Sequence, residues 1–245
     1  MSKIYEALRN IQGKVLEGPS EAAPFRPRVI PSSPESSELL MEREIGVYQN
    51  LSAVLPDSGR KIIQFIGSRE GEGTSTVVRE FAKVSALKFG KLVLLLDADH
   101  RHPSQQLFFD IEPKHGWQDA VQDNTLIERA LYQIMDTRLY LCPSSQNPGT
   151  PSQIFSPLQM DVFLEKLRQR FDLVLVDSQP ATLSTDGLAL SSKVDGVVLV
   201  VEAEKTRWPV AQAAKENILR NGGKILGIVL NKRRYYIPGW IYRSL

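Results

Sequence analysis

"KIIQFIGSREGEGTST", residues 61–76, runs from a nearly unbroken apolar segment into glycines and hydroxyls. An apolar run this continuous suits a strand covered on both faces, and the glycines and hydroxyls after it suit a tight turn into a helix. Gly71 and Gly73 let backbone N–H groups face a phosphate, the helix starting near Thr74 adds its positive dipole end, and Ser75 stands where a hydroxyl would bind magnesium. Against the pattern G-x-x-x-x-G-K-[ST], the window 68–75 keeps Gly73 and Ser75, has Ser68 for the first glycine and has Thr74 for the lysine. A glycine-rich strand-to-helix turn also serves as a plain connection, so the loop alone leaves both readings open.

Five more such runs lie downstream: "KLVLLLD" (91–97), "RLYLCP" (138–143), "FDLVLVD" (171–177), "DGVVLVVE" (195–202) and "KILGIVLN" (224–231). Helical segments, among them "TSTVVREFAKVSALKFG" (74–90) and "PLQMDVFLEKLRQRF" (157–171), separate several of them. The alternation predicts right-handed βαβ units and an α/β fold, a doubly wound and mostly parallel sheet flanked by helices, with ligands at the carboxyl ends of its strands. Chemically loaded residues fall at those ends. The loop comes after the first run, Asp97 and Asp99 close the second, and Asp177 closes the fourth. They supply the other elements of a magnesium–nucleotide site, with Asp97 near the metal and Asp177 just behind it.

The chain of 245 residues, 42% hydrophobic and 24% charged, suits one α/β domain with a short extension. A formal net charge of +2 is too small to imply a polyanion, so no nucleic-acid partner is expected. The single cysteine, Cys142, rules out an internal disulfide framework or a cysteine-clustered metal site and reads as a small buried residue; the expected compartment is the cytoplasm. No apolar run approaches the roughly 20 residues that span a bilayer, so any membrane contact would be peripheral. Ile4, Leu8, Ile11 and Val15 predict an amphipathic helix over 1–17, and the Pro/Ser/Glu-rich stretch 18–37 reads as a flexible tether before a domain over 38–231. The tail 232–245 interleaves Lys232, Arg233, Arg234 and Arg243 with Tyr235, Tyr236, Trp240 and Tyr242. That mixture suits a membrane interface or an acidic partner, and suits equally aromatics folded back on the domain. His100 and His102 lie just past a strand beside Asp97 and Asp99, and no transition-metal site is assigned to them.

"GEGTSTV" (71–77), "LLLDADHRHP" (94–103) and "FDLVLVDSQP" (171–180) together resemble the phosphate loop, the second aspartate motif and the Walker B strand of the bacterial tyrosine kinases of capsule and exopolysaccharide synthesis, a branch of the MinD-like P-loop ATPases. "STDGLALSSKVDGVVLVVEAEKTR" (184–207) and "GIVLN" (227–231) extend the likeness over the last two strands, and "MSKIYEALRN" (1–10) is similar to the start of family members that work beside a separate membrane-anchored co-polymerase. The resemblance implies ATP and Mg2+ as cofactors, with Gly71, Glu72, Gly73, Thr74, Ser75 and Thr76 on the phosphates and Asn231 at the base. It places the metal at Ser75, Asp97 and Asp177. It makes Asp99 the group that assists removal of a tyrosine proton. A position that often carries a second phosphate-reaching lysine in MinD-like loops holds Arg69.

The implied partner is a membrane-anchored polysaccharide co-polymerase or chain-length regulator, with a homo-oligomer as a further expectation and the inner face of the membrane as the place of work. Three departures stand beside these. Thr74 cannot neutralise β- and γ-phosphate charge as a lysine does. Ile45 and Tyr48, or in the neighbouring alignment Val47 and Asn50, occupy the places of two arginines of the family's assembly pattern, and the tail lacks a run of closely spaced tyrosines. Three readings stay open: a tyrosine autokinase using Arg69, a catalytically degenerate docking partner, and a ParA- or MinD-like positioning ATPase, against which "DADHRHP" and the aromatic tail weigh.

Overall fold

The leucine- and valine-rich runs become buried strands because each can give up both faces to helices without stranding a polar side chain. In the computed structural model, residues 59–145, 156–183 and 185–233 are described, together with the helical positions Gly46 and Gln49. The chain divides into Met1–Gln49 and Asn50–Leu245. The expected N-terminal helix (1–17), the tether (18–37), the assembly positions and the tail tyrosines lie outside the described residues.

Strand β1 is Lys61–Gly67, followed by helix α1 (Thr74–Leu87), β2 (Val93–Asp97), the short helices α2 (Gln105–Phe108) and α3 (Trp117–Gln122), and a 3-10 helix over Asn124–Ala130. Next come β3 (Tyr132–Gln133), β4 (Leu139–Cys142), α4 (Pro157–Arg170), β5 (Leu173–Ser178), α5 (Thr185–Ser191), β6 (Gly196–Glu202), α6 (Trp208–Arg220) and β7 (Ile225–Asn231). They form one seven-stranded sheet in the order β3-β4-β2-β5-β1-β6-β7, parallel except for β3. Every residue of β2 and β5 is buried. The expected α/β doubly wound sheet is the observed fold.

Helix α4 starts where Ser156 accepts a hydrogen bond from the Gln159 N–H (3.2 Å) and the Gln159 side chain accepts one from the Ser156 N–H (3.0 Å), with Pro157 in the first turn. Its Phe163, Leu164 and Leu167 pack with Phe171, Val174 and Val176 on one side of the sheet. Helix α6 closes the β6 side through Ala214 and Ile218 against Val197, Leu199 and Val201. Gln64, fully buried in mid-β1, is satisfied at both ends of its amide: the nitrogen donates to Ser178 Oγ (2.8 Å) and the Gly187 carbonyl (2.6 Å), and the oxygen accepts from Ser191 Oγ (2.8 Å). This network ties α5 to the centre of the sheet.

Two features differ from expectation. The antiparallel β3 is only two partly exposed residues long, too short for any periodic signal. β7 is not covered on both faces: Ile228 is 49% exposed and Leu230 58%, because β7 is the last strand of the sheet. No described helix is long and apolar enough to cross a membrane.

Candidate functional site

Strand order brings the chemistry together. β5 lies between β1 and β2, and the register pairs Asp97 directly with Asp177 while Phe65, near the end of β1, pairs with Asp177 on the other side. Three carboxyl-terminal strand ends therefore meet at one cleft of about 400 Å3, lined among others by Arg69, Gly71, Gly73, Thr74, Ser75 and Asp99.

The loop between β1 and α1 is held from within by Glu72, whose buried carboxylate accepts from the Ser68 N–H (2.6 Å), Ser68 Oγ (2.7 Å) and the Arg69 N–H (3.0 Å). It also accepts from the Glu202 N–H (3.3 Å) and Thr206 Oγ1 (2.5 Å), which ties the loop to the end of β6. The Glu72 side chain is thus occupied inside the loop, leaving its backbone as what it can offer a phosphate. Gly67 is required because a Cβ there would lie 2.8 Å from Thr74 Oγ1. Gly73 sits at φ 84 and caps α1 with no side-chain hydrogen bond, so the amides of that first turn carry no side-chain cap. Thr74 and Ser75 open the helix, and Thr76 Oγ1 accepts from Arg79 Nη2 (3.4 Å).

Behind the loop, one oxygen of each aspartate is satisfied and one is not. Asp97 Oδ2 accepts from the N–H groups of Ser104 (3.2 Å) and Gln105 (3.0 Å), and Asp177 Oδ2 accepts from Gln105 Nε2 (2.7 Å). Oδ1 of both is buried without a hydrogen-bond partner. Gln105, itself fully buried, also donates from its side chain to the Ser75 carbonyl (2.9 Å), so its amide joins α1 to β5 while its backbone N–H holds β2. Burial raises the Asp97 pKa well above its ordinary value, and the Asp177 charge adds to the rise. Burial likewise pushes Asp177 up to about 6, against the pull of Gln105 and the Ser75 hydroxyl. Two buried, half-satisfied carboxylates side by side are a fit for a divalent cation. Among the described residues no three acidic, histidine or cysteine side chains cluster to hold a metal by themselves. Magnesium here would therefore be completed by Ser75, phosphate oxygens and water.

Both folded-state values exceed those of the unfolded chain, so the folded form keeps protons the unfolded form has lost. The pair therefore destabilises the ligand-free protein progressively as pH rises from about 4 through 6. Against an Asp177→Asn variant, the parent's thermal stability is expected to fall across that window by the equivalent of about 3 kcal/mol at most. Parallel melting curves of the two proteins from acid to neutral pH would contradict it.

Asp99 lies at the cleft mouth and spends Oδ1 on its own turn, accepting from the N–H groups of Arg101 (3.2 Å) and His102 (3.1 Å). Arg69 presents Nε and Nη2 shut off from solvent with no hydrogen-bond partner. Asn231, expected at the base, donates from Nδ2 to the Glu72 carbonyl (2.8 Å), and the neighbouring Lys232 donates to the Gly71 carbonyl (2.5 Å). His100 and His102 have separate partners, Gln179 Nε2 at 3.0 Å and Glu70 at 3.8 Å. Cys142 is fully enclosed, and burial raises its thiol pKa. Neither Gln105 nor Lys232 stands out in the sequence. Gln105 has no motif around it, and Lys232 reads as the first residue of a basic tail.

A mostly parallel sheet with this order and a phosphate-type loop after β1 is the MinD-like P-loop fold. A family model described as "Cellulose biosynthesis protein BcsQ" matches residues 60–218. "Tyrosine-protein kinase CpsD" of Streptococcus agalactiae is 30% identical over 173 residues, 70% of this chain and 75% of that protein. The crystal structure of "the chimerical protein CapA2B2" superposes with TM-score 0.73 at 25% identity, covering 84% of this chain and 88% of that one. MinD cell division protein of Aquifex aeolicus superposes with TM-score 0.60 at 20% identity, over 75% of this chain and 73% of that one, which shows the shared fold. The chain belongs to the family of these bacterial tyrosine-protein kinases within the MinD-like P-loop proteins.

Proposed function

We propose that the cleft binds ATP with Mg2+ and that the protein regulates exopolysaccharide or capsule synthesis and export, as a tyrosine-autokinase-like partner of a membrane-anchored polysaccharide co-polymerase. The observation that carries this reading is a set of unsatisfied polar atoms about the loop: Arg69, which lines the cleft, has Nε and Nη2 without partners, and Asp97 Oδ1 and Asp177 Oδ1 lie buried behind it, joined to Ser75 through Gln105. Anion and cation are both called for, which is what a magnesium–polyphosphate supplies together. Backbone amides of the loop and the uncapped start of α1 bind phosphate, and Arg69 adds a forked cation in place of the lysine absent at Thr74. Magnesium, when bound, supplies charge neutralisation on the phosphoryl oxygens. Asp99 takes the proton of a tyrosine hydroxyl offered at the cleft mouth.

Because Thr74 brings no charge, turnover is slower by about 100- to 1,000-fold than a lysine-bearing loop would give, the scale of losing one preorganised charge-stabilising group. That same residue favours a second reading, in which nucleotide is bound but not turned over and the protein acts by docking. Calorimetric titration with ATP and Mg2+ tests binding, and phosphotyrosine on the purified protein after incubation with ATP separates the two readings. Arg69→Ala is expected to weaken ATP at least tenfold, as loss of a charge-assisted contact does. Unchanged affinity in that variant would remove Arg69 from the site, and no binding by either protein or by Thr74→Lys would remove the nucleotide.

A further inference from the structure

The end of β7 reaches away from the sheet and grips the phosphate loop. Asn231 Nδ2 donates to the Glu72 carbonyl at 2.8 Å, and Lys232 Nζ donates to the Gly71 carbonyl at 2.5 Å. The grip is tight: a Cβ on Gly73 would lie 2.4 Å from Asn231 Nδ2 and 3.5 Å from Lys232 Cε. Lys232 makes this reach from a left-handed backbone, φ 57, a conformation a lysine adopts only where its surroundings impose it. Glu202 Oε2 lies 3.6 Å from the same ammonium and 3.1 Å from Lys205 Nζ, and the Arg69 charge also acts on it. Three cations therefore share one carboxylate beside the loop, and the ammonium of Lys232 is steered without being cancelled.

In a trans peptide the N–H points opposite the C=O. Holding the carbonyls of Gly71 and Glu72 from the β7 side turns the amides of Glu72 and Gly73 away from β7, within the stretch of loop that lines the cleft. A cation on a peptide oxygen also polarises that peptide and strengthens its N–H as a donor. We propose that Lys232 is a positioning residue of the phosphate site, fixing the loop through the Gly71 carbonyl and lending it the positive charge that Thr74 does not bring. This rests on the nucleotide reading above for its ligand, though the grip itself exists without one. A lysine at the exit of β7 thereby has a structural reason, and the first residue of the tail becomes a part of the nucleotide site.

Two measurements on the full chain decide it. In the ligand-free protein, hydrogen exchange followed by mass spectrometry on the peptide spanning 68–76 is expected to quicken at least fivefold in Lys232→Met and to stay at the parent rate in Lys224→Met, at the opposite end of β7. In calorimetry with Mg2+ and ATP, Lys232→Met is expected to bind at least tenfold more weakly than the parent. Lys232→Arg, which keeps donor and charge, is expected within about threefold of it. A shallower salt dependence of affinity should accompany the methionine variant alone, a readout that loss of packing would not move. Equal loop exchange in Lys232→Met and parent overturns the proposal, as does equal affinity for Mg·ATP. Absence of ATP binding by the parent sinks the nucleotide reading on its own, and the exchange comparison still decides whether Lys232 holds the loop.

Discussion

Thr74→Lys is expected to tighten Mg·ATP by about ten- to a hundredfold and to raise phosphotyrosine formation by more. One charge-assisted hydrogen bond to a polyphosphate is worth on the order of 1.5–3 kcal/mol. The larger effect on turnover arises because charge on the transferred phosphoryl group grows toward the transition state, where a fixed cation acts most strongly. Position 74 is the first residue of α1, half-buried against Gly67, so the longer side chain leaves from a rigid helix end rather than a free loop. The substitution also measures redundancy. If Arg69 and Lys232 already neutralise the phosphates, each should matter less once a lysine stands at position 74, and adding Lys232→Met to the Thr74→Lys protein should lose less affinity than Lys232→Met does alone. Strict additivity would show that these cations act on different parts of the ligand. No gain at all, with the fold intact, would mean that phosphate does not reach the start of α1.

Gly73→Ala is expected to abolish detectable ATP binding and to lower stability by roughly 1–3 kcal/mol. Two independent conflicts produce this. The residue sits at φ 84, where an L side chain is strained, and its Cβ would lie 2.4 Å from Asn231 Nδ2, dislodging the donor that holds the Glu72 carbonyl. The backbone strain has no rotamer to relieve it, because Gly73 must cap α1, and the Asn231 amide escapes the clash only by swinging away from the Glu72 carbonyl that it holds. Gly71 gives the contrast: it too has positive φ, 83, but a Cβ there meets nothing within 4 Å, so Gly71→Ala carries the strain alone. Denaturation curves and titrations of the two variants check this, and equal affinity for ATP in Gly73→Ala and parent would exclude the loop as the binding element.

The strands were legible because parallel β-structure buried on both sides writes itself as continuous apolar runs, and the six runs read from sequence match six of the seven strands. The loop and its two partner aspartates were legible because they sit at the ends of such runs. What one chain's pattern does not encode is the order of strands. Nothing in "FDLVLVDSQP" says that β5 inserts between β1 and β2, and only that insertion sets Asp97 opposite Asp177. The direction of Glu72 was hidden for a similar reason, since its partners Glu202 and Thr206 lie 130 and 134 residues away in sequence. Gln105 belongs to a crossover with short helices and no periodicity, and its importance comes from where its amide lands. Lys232 was read with the tail because composition changes there, while its backbone still belongs to the turn that closes the sheet.

Glu72 has a consequence for signalling. With its carboxylate accepting from the front of the loop and from β6, the loop has its shape before anything enters the cleft. A wall of constant shape cannot report whether a diphosphate or a triphosphate sits against it. For the nucleotide proposed above, telling those two states apart would fall to the other side of the cleft, the turn carrying Asp99, Arg101 and His102, which is the more exposed and is anchored chiefly through one carboxylate oxygen of Asp99. On that proposal the sensor and the cradle are separate pieces of chain.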